Sequence, residues 1–389
     1  VCNLVSAAAV AGIPLVPSGG RTGLSGGAVA ANGEIVVSFD RMRRVIDFSP
    51  SDRSLTVEAG VVTARVQALA REKGLYYPVA FASVGSSQFG GTIATNAGGI
   101  RVLRYGTTRD RVSGLKVVTG EGRELELNRG LVKNASGYDL RHLFIGSEGT
   151  LGLVVEATLQ LESEPPPSRV MLLGMPGMDA LMNVFNLLRS SMHLSAFEFF
   201  TDRALAHVCA AQGLPQPMSS DCPVYVLAEF DCSGPEDEEG ALEAFNQGLE
   251  AGWLTDGVIS QDSRQAKALW RYREGISESI SHFPPYKNDL SVRVSKVAEF
   301  LLRMDRLVEE LCPGYEVVWY GHIGDGNLHL NILRPEHLSV EEFMAKGHAM
   351  SPKIFELVQA RGGSISAEHG VGLLKKDFLE YSRSPAEID

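Results

Sequence analysis

Three glycine-rich stretches restrict this chain more than any other feature: PSGGRTGLSGG at 17–27, SVGSSQFGGTIATNAGG at 83–99 and GSEGTLG at 146–152. Glycine lets backbone amides turn inward and approach a ligand with no Cβ in the way, so each stretch is a candidate cradle for a phosphate or a ring. The first follows a short β run, PLVP, but lacks the GxGxxG that opens a helix in a Rossmann nucleotide site; it leads toward another strand, EIVVSF. A mobile surface loop accounts for any one of them taken alone. Three in one domain, all poor in bulky side chains, point instead to a large dinucleotide with an extended adenine tail.

At 389 residues the chain exceeds one ordinary core and suits two or three domains. Short β runs alternate with helical stretches up to LGLVVEATLQLES, and VSGLKVVTGEGRELEL at 112–127 reads as a hairpin turning at Gly120–Gly122. Pro165, Pro166 and Pro167 then remove backbone donors and stiffen a connection, which makes them the best boundary. Beyond them RVMLLGM and VYVLAEF are each followed by a helical stretch, an antiparallel sheet covered by helices in the ferredoxin-like manner. The expected fold is α+β. Its parts are a first domain over 1–164, a second over 169–335, and a helical segment over 336–389 that completes the active site.

A net charge of −11 argues against a nucleic-acid surface, since phosphate binding needs concentrated Lys and Arg. The five cysteines have no CxxC spacing, so neither a zinc knuckle nor a disulfide scaffold is indicated. No apolar run approaches the roughly eighteen residues of a transmembrane segment, and a soluble protein is expected. The opening VCNLVSAAAVAG reads as the middle of a helix, and no obvious element closes the chain, so further sequence is expected at both ends.

The second half concentrates the chemistry. In YGHIGDGNLHLN, glycines 324 and 326 let the chain reverse between His322 and His329, while His329 and Asn331 share one face of a strand. Glu368 and His369 lie in SISAEHGVG among small residues. Two neutral histidines and a carboxylate can bind Zn2+ or a related divalent ion with a position left open. His322, His329 and Glu368 form such a set, Asp325 is the rival ligand, and His369 remains for proton transfer. Arg273 and Ser277 share a helical face with Lys287 just beyond. Arginine grips a carboxylate bidentately and lysine neutralises a second; a solvated face shared with Arg271, Glu274 and Glu278 is the competing reading.

The three glycine-rich stretches, together with YGTTRD at 105–110 and NASGYDLRHLFIGSEGTLG at 134–152, resemble the FAD domain of the vanillyl-alcohol-oxidase-like flavoproteins, in their FAD-linked oxidoreductase branch. That resemblance implies FAD contacts from Pro17, Gly19, Gly20, Arg21, Thr22, Gly23, Leu24, Ser25, Gly85, Ser86, Gly91, Thr95, Asn96, Glu148, Gly149 and Gly152. It implies non-covalent FAD, because the first loop lacks the histidine or cysteine that relatives use for attachment. YKNDLSV, GHIGDGNLHLNI and SISAEHGVGLLKKDFLEYSRSPAEI resemble the D-2-hydroxyacid dehydrogenases of this family. They imply metal ligands His322, His329 and Glu368, a base His369, and substrate contacts Arg273, Ser277, Lys287 and Asn331, with serine standing where the family has threonine.

The expected reaction is oxidation of D-2-hydroxyglutarate to 2-oxoglutarate by hydride transfer to flavin. D-malate, D-lactate or another D-2-hydroxy acid, and a non-catalytic flavoprotein, are the alternatives. Reoxidation would fall to an electron-transfer flavoprotein or a quinone-linked carrier. A homodimer is expected, in bacterial cytoplasm or, for a eukaryotic chain, the mitochondrial matrix.

Overall fold

The computed structural model describes residues 1–389 and divides the chain into two compact units. The first comprises Val1–Pro165 with Glu368–Lys376, the second Pro166–Ala367 with Asp377–Asp389. The expected C-terminal segment, 336–389, is therefore shared between the units and forms no body of its own. No helix is long and apolar enough to cross a membrane.

The first unit is built on a five-stranded antiparallel sheet. Its strands are β1 (Val45–Ser49), β2 (Ser54–Glu58), β3 (Val112–Thr119), β4 (Glu124–Leu127) and β5 (Gly152–Gln160), in the order β1-β2-β5-β3-β4. The expected hairpin is β3–β4, with Leu115 opposite Leu127. Along β2 and β3 every second or third side chain is apolar, and Leu55, Val57, Leu115 and Val117 turn into one core with Val66, Tyr77, Phe89, Ile93 and Leu159. Leu15–Ser18 and Ile35–Ser38 form a separate parallel pair, so the first glycine-rich loop is the crossover between two parallel strands.

The second unit carries seven antiparallel strands: β6 (Ser168–Met175), β7 (Leu194–Thr201), β8 (Val224–Asp231), β9 (Asp256–Ile259), β10 (Tyr286–Ser291), β11 (Val317–Gly321) and β12 (Asn327–Ile332). Their order is β9-β6-β8-β7-β11-β12-β10. All residues of β7 and β12 are buried, so both faces of these strands are covered; β7 reads as a largely apolar run, whereas β12 alternates Asn327, His329 and Asn331 with Leu328, Leu330 and Ile332. The helix expected over 263–280 runs from Ser263 to Glu274, then resumes as a single turn at Ile276–Ser279. Asp262 starts it by accepting the Gln265 amide at 2.7 Å. The strand expected at 290–294 begins earlier, because Tyr286–Asp289 finds a pairing partner in His329–Ile332.

Candidate active site

In the first unit the three glycine-rich stretches converge. A Cβ on Gly20 would stand 2.2 Å from the Ser86 carbonyl, so the first and second stretches approach each other backbone to backbone. Gly149, at φ 79°, lies so close to Pro17 that a Cβ would meet its ring at 2.5 Å, which brings the third stretch against the start of the first. Each stretch also holds one non-glycine residue in the left-handed region: Arg21 at φ 57°, Asn96 at φ 50° and Glu148 at φ 52°. Such backbone costs roughly 1–3 kcal/mol per residue and persists only where the surroundings impose it.

Side chains tie the stretches together. Asp40 accepts from Arg21 at 3.2 Å and from the Gln88 amide at 2.8 Å. These bonds, Gln88 first, hold its carboxyl down at about 2. Asn96 accepts the Arg109 amide and the Thr107 hydroxyl at 2.9 and 3.0 Å. Gly85 lies in the turn before Ser86, Gly91 and Thr95 lie in and just after the helix Phe89–Ala94, and Gly152 opens β5. Thr22, Gly23 and Leu24 remain on the crossover loop, where Leu24 is exposed. This cradle, floored by backbone that no side chain could replace, fits a dinucleotide such as FAD.

Glu148 has a more definite task than its place in the third stretch implies. Its carboxylate accepts the Ser25 hydroxyl at 3.4 Å and the amides of Val371 and Gly372 at 3.1 Å each. Glu148 thereby ties the segment Glu368–Lys376, which carries Glu368 and His369, to the first unit.

In the second unit the chemistry lies along one face of β10, β12 and β11. Asp289 pairs with His329 and Lys287 with Asn331, while Tyr320 and Val318 sit opposite the same two residues on the other side. The alternation puts Asn288, Leu290, Leu328, Leu330 and Trp319 on the opposite face. His322 and His329, both buried, have ring nitrogens within 4.8 Å of each other and ring centroids 5.4 Å apart. A carboxylate lies beside each histidine, at hydrogen-bond distance only for His322. His322 Nδ1 lies 2.8 Å from both oxygens of Glu198, and His329 Nδ1 lies 3.6 Å from Asp289 Oδ1. Carboxylates that orient imidazoles are characteristic of histidine metal sites, so this His/Asp cluster can coordinate a divalent cation. Asp325, the rival ligand, shapes the turn by accepting the Asn327 amide at 3.1 Å.

Lys287 Nζ donates to Ser277 Oγ at 3.3 Å. Although the Lys287 side chain as a whole is exposed, desolvation around its ammonium lowers its pKa. Arg273 is buried, 2.8 Å from Glu198 Oε2 and 4.7 Å above the Tyr320 ring. Short as it is, the Arg273–Glu198 contact is an ion pair of poor angle, since Glu198 Oε2 and Arg273 Nε each lack a well-aligned hydrogen bond. Burial raises the Tyr320 phenol, against the pull of Arg273, Ser277 and Asn331 around it. The Asn331 amide donates to the carbonyls of Val318 and His329.

Glu198, Asp289 and Tyr320 are absent from the sequence-derived set. A signal existed for Glu198, an ionisable residue inside the apolar strand LSAFEFFT. Asp289 gave a weaker one, since YKNDLS resembles an ordinary edge strand.

Residues 164–389 match the family described as FAD linked oxidases, C-terminal domain, and residues 1–128 the FAD binding domain. The chain is 56% identical to D-2-hydroxyglutarate dehydrogenase of Stutzerimonas stutzeri, covering 97% of this chain and 81% of that one. It is 39% identical to the mitochondrial D-2-hydroxyglutarate dehydrogenase of Bos taurus, covering 96% and 68%. In fold it is similar to p-cresol methylhydroxylase, with a TM-score of 0.75 at 14% identity over 99% of this chain and 82% of that one.

Proposed function

The chain belongs to the FAD-linked oxidases, of vanillyl-alcohol-oxidase type, and we propose that it oxidises D-2-hydroxyglutarate to 2-oxoglutarate. The observation that carries this reading is the sheet face itself. His329 lies on the same sheet face as the cationic Lys287, with the second buried histidine, His322, against it, an arrangement that suits a substrate with one carboxylate beside its hydroxyl and a second at its far end.

His322, His329 and Glu368 would hold the metal, for which the nitrogen–oxygen donor set suits Zn2+. Glu368 follows Ala367 by one peptide bond, and the Ala367 amide donates to Asp289 at 3.1 Å, beside His329. His369 would take the hydroxyl proton. Ser277 and Lys287 would hold the distal carboxylate, with Arg273 lending a charge already shared with Glu198 and Asn331 bordering the same face. Bound FAD would accept the hydride from C2, and a bound metal would polarise the 2-hydroxyl and its neighbouring carboxylate. FAD would sit without a covalent bond on Pro17, Gly19–Ser25, Gly85, Ser86, Gly91, Thr95, Asn96 and 148–152. An electron-transfer flavoprotein or a quinone-linked carrier would reoxidise it. The working form would be a homodimer, in bacterial cytoplasm or the mitochondrial matrix according to source.

The test is anaerobic bleaching of the flavin by D-2-hydroxyglutarate, D-malate and D-lactate, with and without prior chelation. The expected result is fast, metal-dependent bleaching, greatest with D-2-hydroxyglutarate. Preference for D-lactate would remove the dicarboxylate assignment, and bleaching indifferent to chelation would remove the metal.

A further inference from the structure

Glu198 is 1% exposed, sits in the middle of β7 between Phe197 and Phe199, and touches two groups of opposite purpose. One is His322 Nδ1, the other the Arg273 guanidinium, each at 2.8 Å. A carboxylate buried this deeply is costly unless its charge is used. Facing Nδ1, it favours the tautomer with its proton there, which turns Nε2 away from Glu198 as the ligating nitrogen. Facing Arg273, it neutralises that buried cation, whose guanidinium stands over the Tyr320 ring, leaving Lys287 as the cation on this face with no acidic partner of its own.

We propose that Glu198 is a positioning residue that sets both the metal-binding orientation of His322 and the charge of the substrate pocket. The inference rests on the reading of His322 as a metal ligand. Its consequence is that one substitution changes metal affinity and carboxylate recognition together, Glu198 acting through His322 and Arg273.

Zn2+ affinity is measured by chelator competition on FAD-loaded wild type, E198Q, E198D and H322A, alongside KM for D-2-hydroxyglutarate and D-lactate. With FAD content unchanged, E198Q is expected to bind Zn2+ about 10- to 100-fold more weakly. The KM ratio of the two acids should shift, and E198D should restore part of both. A variant E198Q/R273M, which removes the cation left uncompensated, guards against simple misfolding; it should regain thermal stability but not Zn2+ affinity. E198Q with Zn2+ affinity and KM ratio of wild type overturns the role of Glu198 alone. H322A that takes up Zn2+ as well as wild type overturns the parent reading and this inference with it.

Discussion

On the proposed assignment, Lys287 is the residue at which charge, position and titration bear most directly on specificity. Its ammonium is the form that pairs with a carboxylate, and desolvation lowers its pKa below the ordinary 10.5. As pH rises through that lowered value the cation is lost, so KM for D-2-hydroxyglutarate should climb at a lower pH than an unhindered lysine would give. KM for D-lactate should stay flat over the same range. K287R keeps the charge and should move the climb upward, a comparison that steady-state kinetics across pH 7–10.5 decides directly. K287M should raise KM for D-2-hydroxyglutarate about 10- to 100-fold, the worth of a hydrogen bond to a charged group, with little change for D-lactate. Equal losses on both acids would mean that Lys287 does not meet the distal carboxylate. The approach of His322 and His329 was legible because glycines 324 and 326 let the chain reverse between them, whereas Lys287 was read only as lying just beyond the helix of Arg273 and Ser277. Glu198 lies 124 positions from His322, and only the folded sheet joins them.

Among the elements, the segment Glu368–Lys376 shows how a short stretch is held where it works. It contains only one turn of α-helix, Gly372–Lys375, and its backbone is fixed largely through the Glu148 carboxylate and the Ser25 carbonyl, which accepts the Leu374 amide at 3.1 Å. Removing the acceptor leaves two amides to find water, a cost of about 1–3 kcal/mol where they are partly buried. E148A should therefore speed hydrogen exchange at Val371 and Gly372. It should also lower kcat on D-2-hydroxyglutarate more than it weakens FAD binding. A variant that loses FAD in proportion to activity would show that Glu148 serves the cofactor and not the segment. The glycine-rich stretches were readable as cradles from composition, yet their convergence was not. It depends on Gly20 against Ser86 and Gly149 against Pro17, contacts between segments 66 and 132 residues apart. The early start of β10 escaped the sequence for a related reason, since the partner strand decides where pairing begins, while the helix break falls at Gly275.

At the scale of the whole chain, the backbone passes between the two units three times, at Pro165–Pro166, Ala367–Glu368 and Lys376–Asp377. The proline run announced the first passage; the second falls in the glycine-and-serine segment GGSISAEHGVG, whose composition resembles any loop, and the third inside LLKKDFLEY, which carries no break signal. The dinucleotide cradle belongs to the first unit, and the histidine pair with its two carboxylates belongs to the second. Glu198 and Asp289 are buried carboxylates beside His322 and His329, and a divalent cation held by these histidines would offset part of their buried negative charge. A ligand that binds only the folded state stabilises it by about 4 kcal/mol at a thousandfold excess over its Kd. Calorimetry of the FAD-loaded protein before and after chelation should then show the transition of the second unit falling by several degrees while flavin stays bound. Re-adding Zn2+ should restore it. Release of flavin as the first effect of chelation, or an unchanged thermogram, would place the cation elsewhere than on His322 and His329.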